Sequence, residues 1–216
     1  MFHLQNHRIG DAWYYAKGDT IHAFFLVMPL EQPYGWEIGH AISHDLIHWE
    51  YQGFALQRGP SGTWDEKNLA TGSVIRRNGK YWMAYTGHKH EYYFVQRVGM
   101  AVSDDLCQWE KLPENPTSEA TPEYYEVEST GQRDLTHWRD PFLLDIGDRV
   151  IQYVCARRTV GDETERGSIG LAQSTDMIHW QALPPPEHDR MTEEMEVPQM
   201  YHINDRYYLV FCTHDF

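Results

Sequence analysis

The chain is short of cysteine, of positive charge and of long apolar runs, and each shortage closes off a class of protein. Its three cysteines, Cys107, Cys155 and Cys212, are odd in number, far apart and without a Cys-x-x-Cys spacing. They read as reduced thiols, not as a disulfide framework or a zinc knuckle. Lysine and arginine total 18 against 32 aspartates and glutamates, a formal charge of −14 over 216 residues. Nucleic acid and anionic membrane surfaces need a cationic footprint, so neither is an expected partner. No apolar stretch approaches the length of a membrane span. Residues 1–13 show neither a cationic leader nor an apolar core, so a cytoplasmic chain without a signal peptide is expected. No P-loop, Gly-x-Ser-x-Gly or dinucleotide fingerprint is present. No segment sustains a 3.6-residue apolar period, so very little helix is expected.

Aromatics, in contrast, are plentiful, with 8 Trp and 14 Tyr in a chain of low mean hydropathy. That mixture suits many short strands with one wet face. It also suits a sugar site, because sugar rings stack on flat aromatic faces.

The strongest organising signal is an internal repeat. Gly39-His40-Ala41-Ile42-Ser43-His44-Asp45-Leu46-Ile47-His48-Trp49 is echoed at Gly99–Trp109 and again at Gly170–Trp180. The shared pattern is Gly-x-Ala-x-Ser-x-Asp-Leu/Met-x-x-Trp: an alternating strand, a Ser-x-Asp turn, then a tryptophan plug. Before each copy a Gly, Asn or Asp turn opens an aromatic-rich strand, as at Asn78-Gly79-Lys80-Tyr81-Trp82 and Asn204-Asp205-Arg206-Tyr207-Tyr208. Each looks like the second arm of a hairpin whose first arm lies at Ala12–Ala16, Ser73–Arg77, Phe142–Asp145 or Gln199–Ile203. Four antiparallel strands recurring at roughly 60–70 residues describe a propeller blade. The predicted fold is all-β: one propeller domain over residues 1–216, with blades near 8–58, 64–115 and 134–186 and a partial blade at 195–216. About three and a half blades cannot close a ring. The expectation is a fragment of a longer protein, or open edges covered by another copy in a homo-oligomer or by another polypeptide.

Asp45, Asp105 and Asp176 recur at equivalent points of the repeat, which marks them as scaffold. The starts of the inner strands differ from blade to blade. They read Gly10-Asp11-Ala12, Thr71-Gly72-Ser73, Arg139-Asp140-Pro141 and Glu196-Val197-Pro198. Three of the four carry a carboxylate at what reads as the same structural point, converging on one axial pocket. Carboxylates brought together repel, so stability alone does not favour the arrangement. Glycosidic cleavage does need one carboxylate and one carboxylic acid flanking the anomeric centre. Each has a bland alternative: Asp140 as a turn acid before Pro141, Glu196 as one charge of a solvated run with Glu193 and Glu194, Asp11 as an ordinary Gly-Asp turn.

These residues resemble glycoside hydrolase family 32, the invertases, levanases and inulinases, within the larger group of five-bladed furanosidases. The resemblance is carried by Trp138-Arg139-Asp140-Pro141, by Trp36 with Gly39–Trp49, by Thr71-Gly72-Ser73 and by Glu196-Val197-Pro198, in family order. It implies a five-bladed-type propeller, a carbohydrate substrate and a retaining double displacement of the fructosidase kind. Asp11 stands as nucleophile, Glu196 as acid/base, Asp140 as transition-state stabiliser and Arg139 as their positioner. It implies no cofactor and no metal. Ser73, Trp36, Trp64 and His88 are the further expected substrate contacts, the two tryptophans reading equally as sugar platforms or as simple packing. His88-Lys89-His90 has no third ligand motif and reads as a loop at the pocket mouth. Two departures stand out: Arg8-Ile9-Gly10-Asp11-Ala12 replaces the family's Trp-Met-Asn-Asp-Pro, and Val197 replaces its common cysteine. The same carboxylates would also serve an inverting family 43-type arabinofuranosidase or xylosidase, or a truncated sugar-binding propeller without turnover.

Overall fold

The computed structural model describes residues 2–90, 94–127, 136–187 and 192–213. Among them, regular structure is all strand apart from a single 3-10 turn at Glu163–Glu165. The first sheet holds β1 (His7–Lys17), β2 (Thr20–Pro29), β3 (Glu37–Ser43) and β4 (Glu50–Leu56). The second holds β5 (Asn68–Arg77), β6 (Lys80–His90), β7 (Phe94–Ser103) and the short β8 (Glu110–Lys111). The third holds β9 (Trp138–Asp145), β10 (Val150–Arg157), β11 (Gly167–Ser174) and β12 (Gln181–Leu183). A fourth sheet has two strands, β13 (Glu196–Ile203) and β14 (Arg206–Cys212). All pairings are antiparallel meanders. β1 packs against β5, β5 against β9 and β9 against β13. Among the described residues this series does not return from β13 to β1 with packing of similar extent. The fold is an incomplete propeller. Residues 134–135 and 214–216 of the expected third and fourth blades lie outside the described residues.

Turn chemistry explains the hairpins. Asn78 and Gly79 both have positive φ (52° and 81°), as do Asn204 and Asp205 (49° and 59°). Two left-handed residues in sequence give the tight turn whose twist matches the flanking strands. The inner strands begin upstream of the first arms predicted from the sequence, because each runs on through an irregularity in register. Two residues, Gly10 and Asp11, face Leu26 alone, and Asp140 with Pro141 face Val154 alone. Val197 with Pro198 face Phe211 alone, and Thr71 is an extra residue between Ala70 and Gly72. Such bulges re-aim side chains off the pleat.

The Ser-x-Asp turns close identically. In the second sheet Ser103 Oγ accepts the Leu106 N–H at 2.9 Å, and Asp105 Oδ1 accepts the N–H groups of Cys107 and Gln108, each at 2.8 Å. Trp109 Nε1 then donates to Leu106 O at 3.0 Å, so the tryptophan caps its own turn. The core lies between sheets. Phe24, Ile38, Leu69, Met83 and Tyr85 are sealed between the first and second. Val98, Met100, Tyr125, Trp138 and Val154 are sealed between the second and third. Each large apolar side chain so buried contributes about 1.5–3 kcal/mol. Among the described residues the fourth sheet is covered only on the side of the third, and Tyr201, Ile203, Tyr207, Tyr208 and Val210 are exposed.

Candidate active site

The four bulges lie on adjacent inner strands, and the side chains around them form one polar group. Trp138 roots it. The ring is fully buried, meets Tyr125 edge-on at 5.0 Å and donates Nε1–H to Ser118 Oγ at 2.8 Å. That anchor delivers the next two residues, Arg139 and Asp140, into the group. Asp140 sits at φ +57°, a region that few residues other than glycine adopt.

Three hydroxyl-mediated bonds tie the blades together here. The Asp140 N–H donates to Thr86 Oγ1 at 2.9 Å, and Thr86 Oγ1–H donates to Thr71 O at 3.1 Å. Thr71 Oγ1–H donates to Asp11 Oδ2 at 2.6 Å. Thr71 and Thr86 thus link Asp140 to Asp11 across the second sheet. The approach of β5 to β6 at this point requires glycine, since a Cβ on Gly72 would lie 2.2 Å from Ala84 O.

On the other side, Arg139 Nη2 donates to Glu196 Oε1 at 2.5 Å, and its Nε stands 3.5 Å from Asp140 Oδ2. The N–H of Val197, a residue at φ +48°, donates to the same Asp140 oxygen at 3.2 Å. Burial pushes the Asp140 carboxyl up to about 6. Arg139 and the Val197 N–H oppose that rise, while the charges of Glu196 and Asp11 add to it. Glu196 and Asp11 are therefore each close enough to act on Asp140. The three carboxylates differ in access: Asp140 is buried, Glu196 half-buried and Asp11 exposed.

The expected equivalence of the three needs correcting. They share the bulge but not the position within it: Glu196 precedes its bulge, Asp140 is the first bulge residue and Asp11 the second. A single bulge motif thus presents carboxylates at three successive steps along the strand.

The remaining expected contacts are placed as follows. Gln96 Oε1 accepts from Arg139 Nη1 at 3.2 Å, and Gln96 Nε2 lies 3.3 Å from His88 Nε2, joining His88 to the group. Burial, reinforced by the Arg139 charge, lowers His88 to about 4 and keeps it neutral. The His90 side chain lies outside the described residues. Trp36 is held at its backbone by Asn68 Oδ1 and by the Leu69 N–H, and its ring end borders Gly10, next to Asp11. Ser73 Oγ accepts the Leu143 N–H at 3.0 Å, so it joins the second and third blades. Trp64 lies over Gly87 and Gly99 beside Tyr85, where a Cβ on either glycine would collide with its ring. Its described contacts are those of blade packing, not of a platform in this group. A cavity of about 540 Å³ runs along the inner strands, and of the three carboxylates Asp140 alone lines it.

Sequence reasoning missed Glu194. The acidic run reads as solvated, yet Glu194 is fully buried. It accepts from Arg139 Nη2 at 3.0 Å and faces His137 Nε2 at 2.6 Å. The available signal was a matching offset. Glu194 stands two residues before Glu196, and His137 stands two residues before Arg139. Acid and base therefore enter neighbouring inner strands at the same step, where they can meet.

The chain matches known proteins at three levels. The family model "Glycosyl hydrolases family 32 N-terminal domain" matches residues 11–215. Fructan 6-exohydrolase of Beta vulgaris is 34% identical over 178 residues, covering 77% of this chain and 27% of that protein. Sucrose-6-phosphate hydrolase of Escherichia coli is 27% identical over 198 residues, covering 89% of this chain and 38% of that protein. Among solved structures, sucrose-6-phosphate hydrolase from Lactobacillus gasseri superposes with a TM-score of 0.77 at 23% identity, over 95% of this chain and 40% of that one. The chain spans well under half the length of each of these relatives.

Proposed function

The chain belongs to glycosyl hydrolase family 32, and from that premise we propose that it serves the hydrolysis of β-fructofuranosides by a retaining double displacement. Asp11 attacks the anomeric carbon as the bond to the leaving oxygen breaks, and the Glu196 carboxyl gives that oxygen its proton. Glu196, now ionised, takes a proton from water, whose oxygen displaces Asp11 and frees the sugar. Asp140 holds sugar hydroxyls from its buried position, Arg139 orients the carboxylates, and Trp36 offers a ring face beside Asp11. The observation that carries this reading is the placement of Asp140 between the other two, joined to Glu196 through Arg139 and to Asp11 through Thr86 and Thr71. The exposed edges of β1 and of the β13–β14 sheet would be covered by further strands of a longer protein of which this chain is a piece, by a second copy or by another polypeptide.

The test is a screen of sucrose, inulin, levan and aryl furanosides, with Asp11→Asn as control and the first product anomer read by NMR. Release of the anomer of unchanged configuration, lost in Asp11→Asn, is the expected result. Initial release of the opposite anomer would move the chain to the inverting mechanism. Binding without turnover would make it a sugar-binding propeller.

A further inference from the structure

The segment leading into Glu196 is fixed at three successive residues. The Gly167 N–H donates to Thr192 O at 2.9 Å. Arg157, itself almost wholly buried, donates from Nη1 to Glu193 O at 2.9 Å and stands 3.4 Å from Glu193 Oε1. Glu194 then takes Arg139 and His137 on its two oxygens. The passage is tight, since a Cβ on Gly167 would lie 2.7 Å from the Glu194 N.

One nitrogen of Arg139, Nη2, reaches both Glu194 and Glu196. A buried carboxylate costs several kcal/mol of desolvation, and here it lies near two more carboxylates, so packing alone does not account for it. His137 fits the arrangement. Burial lowers it to about 4, and its Nδ1 is buried without a hydrogen-bond partner. A neutral ring with its proton on Nε2 donates to Glu194 without adding a positive charge to those of Arg139 and the neighbouring Arg157.

We propose that Glu194, held by His137, is a positioning residue that divides the charge of Arg139 and sets its Nη2 so that Glu196 is held beside Asp140. The proposal rests on Glu196 and Asp140 belonging to the reacting site. Glu194→Gln keeps the side-chain volume and removes the charge. Two measurements on the full chain read it: the carbon-13 NMR titration of Asp140, which needs no substrate, and kcat and KM on a furanoside that the parent hydrolyses.

With Arg139 turned wholly toward the remaining carboxylates, the Asp140 midpoint is expected to fall by about one unit. Turnover should fall roughly 10–100-fold, the size of effect seen when an outer partner of a metal ligand is removed, with KM held within about twofold. A parental midpoint together with parental kcat would overturn the proposal. Should Glu194→Gln fail to fold by circular dichroism, Glu194→Asp withdraws the carboxylate from Arg139 by one methylene. A lower kcat at unchanged KM then supports the proposal, and parental values overturn it. A parent chain without turnover on any furanoside sinks the proposed hydrolysis, while the Asp140 titration still decides the role of Glu194.

Discussion

Besides the hairpin turns, left-handed non-glycine residues stand at the Ser-x-Asp turns and on the inner strands. At the turns they are Leu46, Leu106 and Met177, with φ of 63°, 77° and 70°. On the inner strands they are Asp140 and Val197, with φ of 57° and 48°. At each turn the neighbouring aspartate is exposed and accepts two backbone N–H groups and a serine hydroxyl. Those bonds hold Asp45, Asp105 and Asp176 below the usual carboxylate range, and at the first and third His48 and His179 are the largest cause. Asp140 moves the other way, because burial outweighs Arg139 and the Val197 N–H. The same backbone device accompanies an exposed acid held low where the turn satisfies it locally, and a buried acid held high where it does not.

The largest expected effect separates the two regions by activity. Glu196→Gln should lower turnover by about 10³-fold or more, within the upper range for losing an acid–base group. Asp105→Ala should leave turnover at the parental level. Equal losses in the two variants would erase the distinction.

The next effect separates them by stability. Because the folded-state value for Asp140 is raised from 3.8 to about 6, its contribution favours folding below the unfolded value and is lost as pH rises through the folded one. Asp140→Asn should therefore gain on the order of 2–3 kcal/mol at neutral pH, visible as a higher urea midpoint, while abolishing turnover. The turn aspartates, held low, carry the opposite sign: their contribution is present above the ordinary carboxylate range and fades on acidification.

A smaller loss is expected at the turns themselves. Asp105→Ala removes an acceptor shared by two backbone N–H groups and should cost roughly 1–2 kcal/mol in the same urea titration. The smallest effect is local. His48→Ala should raise the Asp45 carboxyl titration measured by NMR, since His48 is its largest cause of depression, with turnover unchanged.

The hairpins and the repeat were legible because Asn-Gly and Asn-Asp turns and the Ser-x-Asp pattern act within a few residues. Asp11, Asp140 and Glu196 stood out because they broke that repeat. The bulges were not legible. Gly10-Asp11, Thr71, Asp140-Pro141 and Val197-Pro198 share no common pattern, and a register slip is decided by the partner strand. Glu194 was misread for a related reason. A run of acids carries no sign of its partners, and here they stand 55 and 57 residues away at Arg139 and His137. For Trp64 the sequence left platform and packing open, because nothing local showed that Gly87 and Gly99 lie beneath its ring.

The threonine relay bears on how the site moves. Asp140 is tied through Thr86 and Thr71 to Asp11 by three hydrogen bonds in sequence, and the linking hydroxyl and backbone groups do not titrate. Thermal displacement of one blade should reach its neighbour as a correlated shift. The distance from the Asp140 backbone to the Asp11 carboxylate is therefore expected to fluctuate less than either blade does against the rest of the protein.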